Sequence, residues 1–334
     1  MPVETALSGL PRYRLVPGPT PLERLDRLAA HVGHHGLYAK RDDCMTLGMG
    51  GNKLRSLEFW LGEALARQVD TLLVAGRTTS NQCRLTAAAA AKSGLHCIVL
   101  HNDDTPAKAE GNLLLSRLYG SETRFLGPMD EDERSRCLAE LAAQMEGSGH
   151  RCYIVGDPVV GALGYVACAA ELIAQAGEQD AALENVILPG SMGPTEAGFL
   201  FGCALAGAPF HVHLVSVEYG IDRLAYLVED LFARLCAHTG VTPSVKPASF
   251  VRYHERYLGA GYDMPTPEAI SALETVAALE GMLLEATYTA KTFAGALDLI
   301  EQGEISPESA TCLIHTGGVP SLFTQAGALG LDRL

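Results

Sequence analysis

Apolar runs of strand length alternate along the chain with longer stretches of helical period. TLLVAG (71–76), HCIVL (96–100), YIVG (153–156), NVILPG (185–190), HLVSV (213–217) and TCLIHTGG (311–318) are short and nearly continuously apolar, as strands covered on both faces are. Between them Leu54, Leu57, Leu61 and Leu65 recur at three- and four-residue steps, and similar stripes run through 81–93, 161–175, 223–237 and 267–280. Helices that follow strands in turn predict an α/β chain with an open, mostly parallel twisted sheet flanked by helices. The polar stretches 101–111 and 127–136 read as surface connections, and Asp130, Glu131 and Asp132 as the acidic first turn of a helix rather than a metal site.

Composition narrows the chemistry. At 334 residues and 48% hydrophobic content the chain supplies the core of one large domain or two ordinary ones. A net charge of −14 without a basic cluster leaves no footprint for nucleic acid or an anionic membrane, so a small-molecule partner is expected. The N-terminal stretch MPVETALSGLPRYRL places acid and proline where a secretory signal needs a basic start and an apolar core. No stretch reaches 18 uninterrupted apolar residues, and the expectation is a soluble cytoplasmic protein. Nine widely spaced cysteines without a CxxC fit buried free thiols, with neither a disulfide framework nor a metal.

Three strand-to-helix joints are rich in Gly, Ser, Thr and Asn, where unpaired first-turn N–H groups can meet a ligand. In TLLVAG-RTTSNQCR, Ser80 and Asn81 fall at the N-cap or first turn, which is also an ordinary capping pattern. In NVILPG-SMGPTEAGF, Gly190, Ser191, Gly193 and Thr195 could cup a phosphate or form a plain tight turn. In CLIHTGGVP, Thr316, Gly317 and Gly318 end a strand with close backbone approach or a simple turn. Lys53 follows Gly50, Gly51 and Asn52 and begins an apolar-periodic run. An amine, a phosphate cup and a group for a ring nitrogen are what pyridoxal phosphate requires, with the lysine as Schiff-base former once desolvation frees its lone pair.

KRDDCMTLGMGGNKLRSLEF, SNQCRLTAAAAAKSGL, GALGYVACAAEL, GYDMPTPEAI and YTAKTFAGALDLI resemble the fold type II pyridoxal-phosphate enzymes of the 1-aminocyclopropane-1-carboxylate (ACC) deaminase and D-cysteine desulfhydrase group, which includes L-cysteate sulfo-lyase. The likeness runs from residue 11 to residue 323. It implies a tryptophan synthase β-like fold with two open, mostly parallel sheets. Residues 1–54 and 166–334 would form a large cofactor-binding domain and 55–165 a small α/β domain closing over the cleft. It further implies that Lys53 is the Schiff-base lysine, Asn81 the partner of the cofactor's phenolic oxygen, and Ser80 a carboxylate binder or acid/base group.

The same resemblance puts Asn52, Gly190, Ser191, Gly193 and Thr195 with the cofactor, Thr289 and Thr316 at the pyridine nitrogen, and Gln82, Tyr262 and Tyr288 at the substrate. Thr289 after Tyr288 matches the desulfhydrase branch; Gln82 matches the deaminase branch. The implied reaction is β-elimination from a small amino acid to pyruvate and ammonia by a homodimer. Alternatives are ACC-type ring opening, β-replacement, racemisation, or a cofactor-carrying ligand sensor. Departures cluster at the expected pocket: the longer loop GSMGPTEAG, Thr79 for Gln, LEATYTAK for LDPVYTGK, and a shortened 153–165 segment that places Asp157 near the substrate rim.

Overall fold

The computed structural model describes residues 3–327, 329 and 330. Strands β1 (Leu22–Arg24), β2 (Leu37–Arg41), β3 (Thr71–Ala75), β4 (His96–His101), β5 (Glu122–Phe125), β6 (Cys152–Ile154), β7 (Asn185–Gly190), β8 (His211–Ser216), β9 (Val251–His254) and β10 (Thr311–His315) form two sheets. One has the order β1-β2-β10-β7-β8-β9 and is parallel except for β1. The other, β5-β4-β3-β6, is wholly parallel.

The helices are α1 (Val3–Leu7), α2 (Asp26–Val32), α3 (Lys53–Ala66), α4 (Asn81–Ser93), α5 (Gly111–Leu118), α6 (Glu131–Gly147), α7 (Pro158–Glu178), α8 (Pro194–Leu205), α9 (Ile221–Thr239), α10 (Pro267–Glu280), α11 (Thr289–Glu301) and α12 (Val319–Gln325). The two-sheet α/β expectation holds, and each apolar run read as a strand lies on one. Asp130 caps α6 by accepting the Glu133 N–H at 2.8 Å, so the acidic run is a helix start.

Strands β1, β2, β5 and β9 carry no apolar run. The β2 sequence LYAKR hides its core position because Lys40, wholly buried, donates to Thr20 O at 2.7 Å and pairs with Glu171 at 2.5 Å. Helix α7 is long and apolar enough to cross a membrane by length and composition, yet it packs as a core helix against α3 and α8, with Val166, Cys168, Ala169 and Leu172 fully buried. On α3, Leu54, Leu57 and Leu61 are likewise buried, each worth about 1.5–3 kcal/mol by transfer. All nine cysteines are free, and Cys44 departs from expectation by being exposed.

Behind α3 the charges are closely paired. Arg55 meets Asp42 at 2.7 and 2.8 Å and both Glu171 oxygens at 3.0 Å, while Tyr165 Oη and Thr20 Oγ1 donate to Asp42 at 2.7 and 2.9 Å. Arg55 and Lys40 hold the Glu171 carboxyl down at about 2, against burial, which works the other way. One turn on, Glu58 accepts the Leu15 and Val16 N–H groups at 2.8 Å, tying the N-terminal segment to the same helix. These bonds set the axial position of α3, and with it the residue at its first turn.

Candidate active site

The parallel strands deliver their chemistry-bearing joints at their C-terminal ends. Lys53 follows β2, Asn81 follows β3, the 190–195 loop follows β7, and Thr316 follows β10. The turn before Lys53 depends on glycine: Gly50 has φ 68°, and a Cβ there would stand 2.4 Å from Asp43 O. Thr316 O accepts the Asn52 N–H at 2.9 Å, and a Cβ on Gly317 would lie 2.6 Å from Gly51 Cα. The first and third joints therefore touch backbone to backbone. Asn52 Nδ2 donates to Thr195 Oγ1 at 3.1 Å, which ties the second joint to the same turn.

Lys53 is half-buried, and among the described residues no hydrogen bond or ion pair engages its amine. Burial lowers its pKa; Glu196 and Glu218 pull the other way. Burial likewise raises both of those carboxyls, which moves amine and acids alike toward their neutral forms.

The 190–195 loop departs from a plain phosphate cup. Ser191 N–H donates to Glu196 Oε1 and Ser191 Oγ to Glu218 Oε2. Carboxylate oxygens thus take up the Ser191 N–H and hydroxyl of this loop. Glu196 is at the third position of α8, from which an acidic side chain reaches back to the N-terminal N–H groups; Glu218 comes from the end of β8.

At the other joints, Ser80 caps α4 by accepting the Cys83 N–H at 3.2 Å. Asn81 Oδ1 accepts from Asn112 Nδ2 at 3.0 Å and Arg84 Nη2 at 3.4 Å, and its Nδ2 lies 3.2 Å from the position of a Cβ on Gly318. Tyr262 and Tyr288 join their hydroxyls at 2.5 Å, and burial raises both phenols. Gln82 Nε2 lies 3.6 Å from the position of a Cβ on Gly156.

The Thr289 hydroxyl is committed to Glu285, taking its N–H at 2.8 Å and lying 3.2 Å from its O and Oε1. The buried Glu285 carboxylate also accepts the N–H groups of Thr287, Tyr288 and Thr289. Thr316 is buried, and among the described residues its hydroxyl enters no hydrogen bond. The Asp157 carboxylate caps α7 by accepting the Val159 and Val160 N–H groups, both at 2.9 Å.

Sequence reasoning missed Glu196, Glu218, Glu285, Arg84 and Asn112. A glutamate inside the apolar stretch PTEAGFLFGCAL was a legible signal for the first. Glu218, Arg84 and Asn112 are polar residues with partners on other elements, while Glu285 is held by the N–H groups of Thr287, Tyr288 and Thr289 just after it.

Residues 13–317 match the family described as pyridoxal-phosphate dependent enzyme. The chain belongs to this family. It is 38% identical over 331 residues to a D-cysteine desulfhydrase of Yersinia pestis, covering 97% of this chain and 98% of the relative. It is 35% identical over 334 residues to a D-cysteine desulfhydrase of Serratia proteamaculans, with the same coverage. Among solved structures, an ACC deaminase homologue superposes with TM-score 0.88 at 29% identity over 98% of both chains. Apo diaminopropionate ammonia lyase of Escherichia coli, at TM-score 0.66 and 16% identity, covers 99% of this chain and 91% of its own, and shares the fold.

The protein is a pyridoxal-phosphate dependent enzyme, and its residues fit that cofactor. Among the described residues nothing engages the Lys53 amine, and Gly317 and Gly318 keep side chains out of the space beside Gly51 and Asn81. Thr195 and Asn52 offer polar groups beside the cup.

Proposed function

We propose that the protein removes a β substituent, sulfide or sulfite, from a small amino acid of the D-cysteine or L-cysteate type, releasing pyruvate and ammonia. The unengaged Lys53 amine carries this reading. The choice of elimination is supported by the full-length likeness to D-cysteine desulfhydrases and by Thr289 after Tyr288. Bound pyridoxal phosphate supplies the aldehyde that condenses with amines and the ring that accepts the electron pair left by the α-proton.

The chain's own residues divide the remaining work. Lys53 Nζ anchors the cofactor and, once free, takes the α-proton; its lowered pKa keeps the lone pair available. Asn81 Nδ2 would face the phenolic oxygen, and the 190–195 loop with Asn52 would hold the phosphate. Thr316, whose hydroxyl enters no hydrogen bond among the described residues, would face the pyridine nitrogen, and Thr289, bonded to Glu285, fixes the turn beside it. A neutral hydroxyl there leaves the ring a modest electron sink, which suits departure of a good leaving group. Ser80 and Gln82 hold the substrate carboxylate, while the Tyr262–Tyr288 pair supplies a proton to the leaving sulfur.

The reading includes residues 55–165 as a unit closing over the site, a homodimer and a cytoplasmic location. Sedimentation at micromolar concentration checks the dimer. Incubation with D-cysteine, L-cysteate, β-chloroalanine and ACC, assayed for pyruvate, 2-oxobutyrate and ammonia, tests the reaction. Pyruvate from a sulfur substrate is expected; silence on all four rejects it. ACC ring opening is the second reading, favoured by Gln82 and by the ACC deaminase homologue, and 2-oxobutyrate is its signature.

A further inference from the structure

Asn112 opens the second residue of α5, outside every joint described above, and is 2% exposed. Its Nδ2 lies within hydrogen-bond distance of three acceptors on separate elements: Thr79 O at 2.6 Å, Asn81 Oδ1 at 3.0 Å and Ser321 Oγ at 3.1 Å. Its own Oδ1 is buried and finds no partner among the described residues. A carboxamide placed only to tie helices together would satisfy both ends. Here the acceptor end is left unmade while the donor end faces Asn81.

Arg84 approaches the same oxygen from one turn further along α4. Its guanidinium donates to Gly48 O, to Gly50 O at 3.1 Å and to Asn81 Oδ1 at 3.4 Å, and no carboxylate pairs with it among the described residues. Burial without a counter-ion pulls its pKa down to about 10, still well charged at neutral pH. Both groups next to Asn81 Oδ1 are donors. Rotating the Asn81 amide by half a turn would set N–H against N–H and lose both bonds, so the network assigns oxygen inward and Nδ2–H toward the Gly318 side. A nearby positive charge on the carbonyl side also draws density from the amide and strengthens the N–H as a donor.

We propose that Asn112, assisted by Arg84, is a positioning residue that locks the Asn81 amide so that its N–H faces the phenolic oxygen of the cofactor. The inference rests on the reading that Asn81 makes that contact. Arg84 couples this orientation to the loop that carries Lys53, since the same guanidinium holds Gly48 and Gly50.

The test uses full-length protein loaded with pyridoxal phosphate, reading the position of the visible absorption band, its titration midpoint with pH, and cofactor affinity by equilibrium dialysis. Asn81→Ala sets the scale, removing the donor. Asn112→Asp, nearly isosteric, presents only acceptors when ionised and repels Asn81 Oδ1, turning the amide round. Its midpoint is expected to move in the same direction as that of N81A, with about threefold to tenfold weaker cofactor binding. The double variant is expected to move no further than N81A alone, because the two act through one contact. A residue that merely ties helices together would lower the melting temperature and leave the midpoint in place. If N112D does not fold, Asn112→Ser carries the same test by losing the bond without the repulsion. A shift in N81A with none in either Asn112 variant overturns the inference and leaves the proposed function standing. No shift in N81A itself removes the Asn81 contact, and the inference falls with it.

Discussion

Lys53 and Arg55 stand two residues apart on α3 and face nearly opposite directions, as a 100° step per residue dictates. Arg55 points into a cluster where Asp42, Glu171, Tyr165 and Thr20 meet its donors or one another's acceptors. Lys53 points into a site where an amine without a hydrogen bond or ion pair among the described residues sits near two acids whose carboxyls burial raises. One side of the helix holds ionised groups paired closely enough to remain ionised. The other holds groups desolvated without full pairing, which is the condition in which a side chain accepts or gives up a proton near neutral pH.

The largest expected effect separates the two residues by what each loses. Lys53→Ala should abolish turnover and the borohydride-trapped cofactor label located by peptide mapping, while its melting temperature stays close to that of the parent. Arg55→Met should do the reverse to stability. Removing one partner from a buried cluster costs about 3–5 kcal/mol, readable from urea unfolding. Equal destabilisation by the two substitutions would break the comparison.

The pH dependence of stability sharpens it. Glu171 is held at about 2, below the ordinary 4.5, so its contribution is present above 4.5 and is lost as pH falls toward 2. Glu196 and Glu218 are raised above 4.5, so their contribution is present below 4.5 and is lost as pH rises through the raised values. Urea unfolding of cofactor-free protein should therefore show two limbs. Glu171→Gln should flatten the acid limb alone, and Glu218→Gln the upper one.

Smaller effects belong to the cleft. Glu218→Gln removes a charge beside the cup and should tighten pyridoxal phosphate or inorganic phosphate by about fivefold at neutral pH, the equivalent of about 1 kcal/mol. Unchanged or weaker binding by dialysis would mean that this acid is neutral throughout or a phosphate partner. Tyr262→Phe leaves the Tyr288 phenol without its hydroxyl neighbour and should lower kcat by about tenfold with little change in KM. An equal rise in KM would assign the pair to binding instead.

The parallel core was legible wherever strands were uniformly apolar, and α4 and α10 fall on the predicted stripes to the residue. Strand β2 was not, because Lys40 reads as a solvated charge until Glu171, far along the chain, is placed beside it. The glycine-rich joints announced themselves as turns, and Lys53 stood out against them. Glu218 and the pair Arg84–Asn112 did not, because a polar residue's burial is decided by partners on other elements and leaves no local period. Asp157 shows the converse: a residue conspicuous by position whose carboxylate is spent on a helix end.

Strand β10 lies between β2 and β7, in the interior of its sheet, and the Gly317 backbone rests on Gly51. During synthesis on the ribosome, the lysine therefore emerges long before the floor against which it is set. Until β10 inserts, β2 and β7 have no strand between them to join the two halves of the larger sheet.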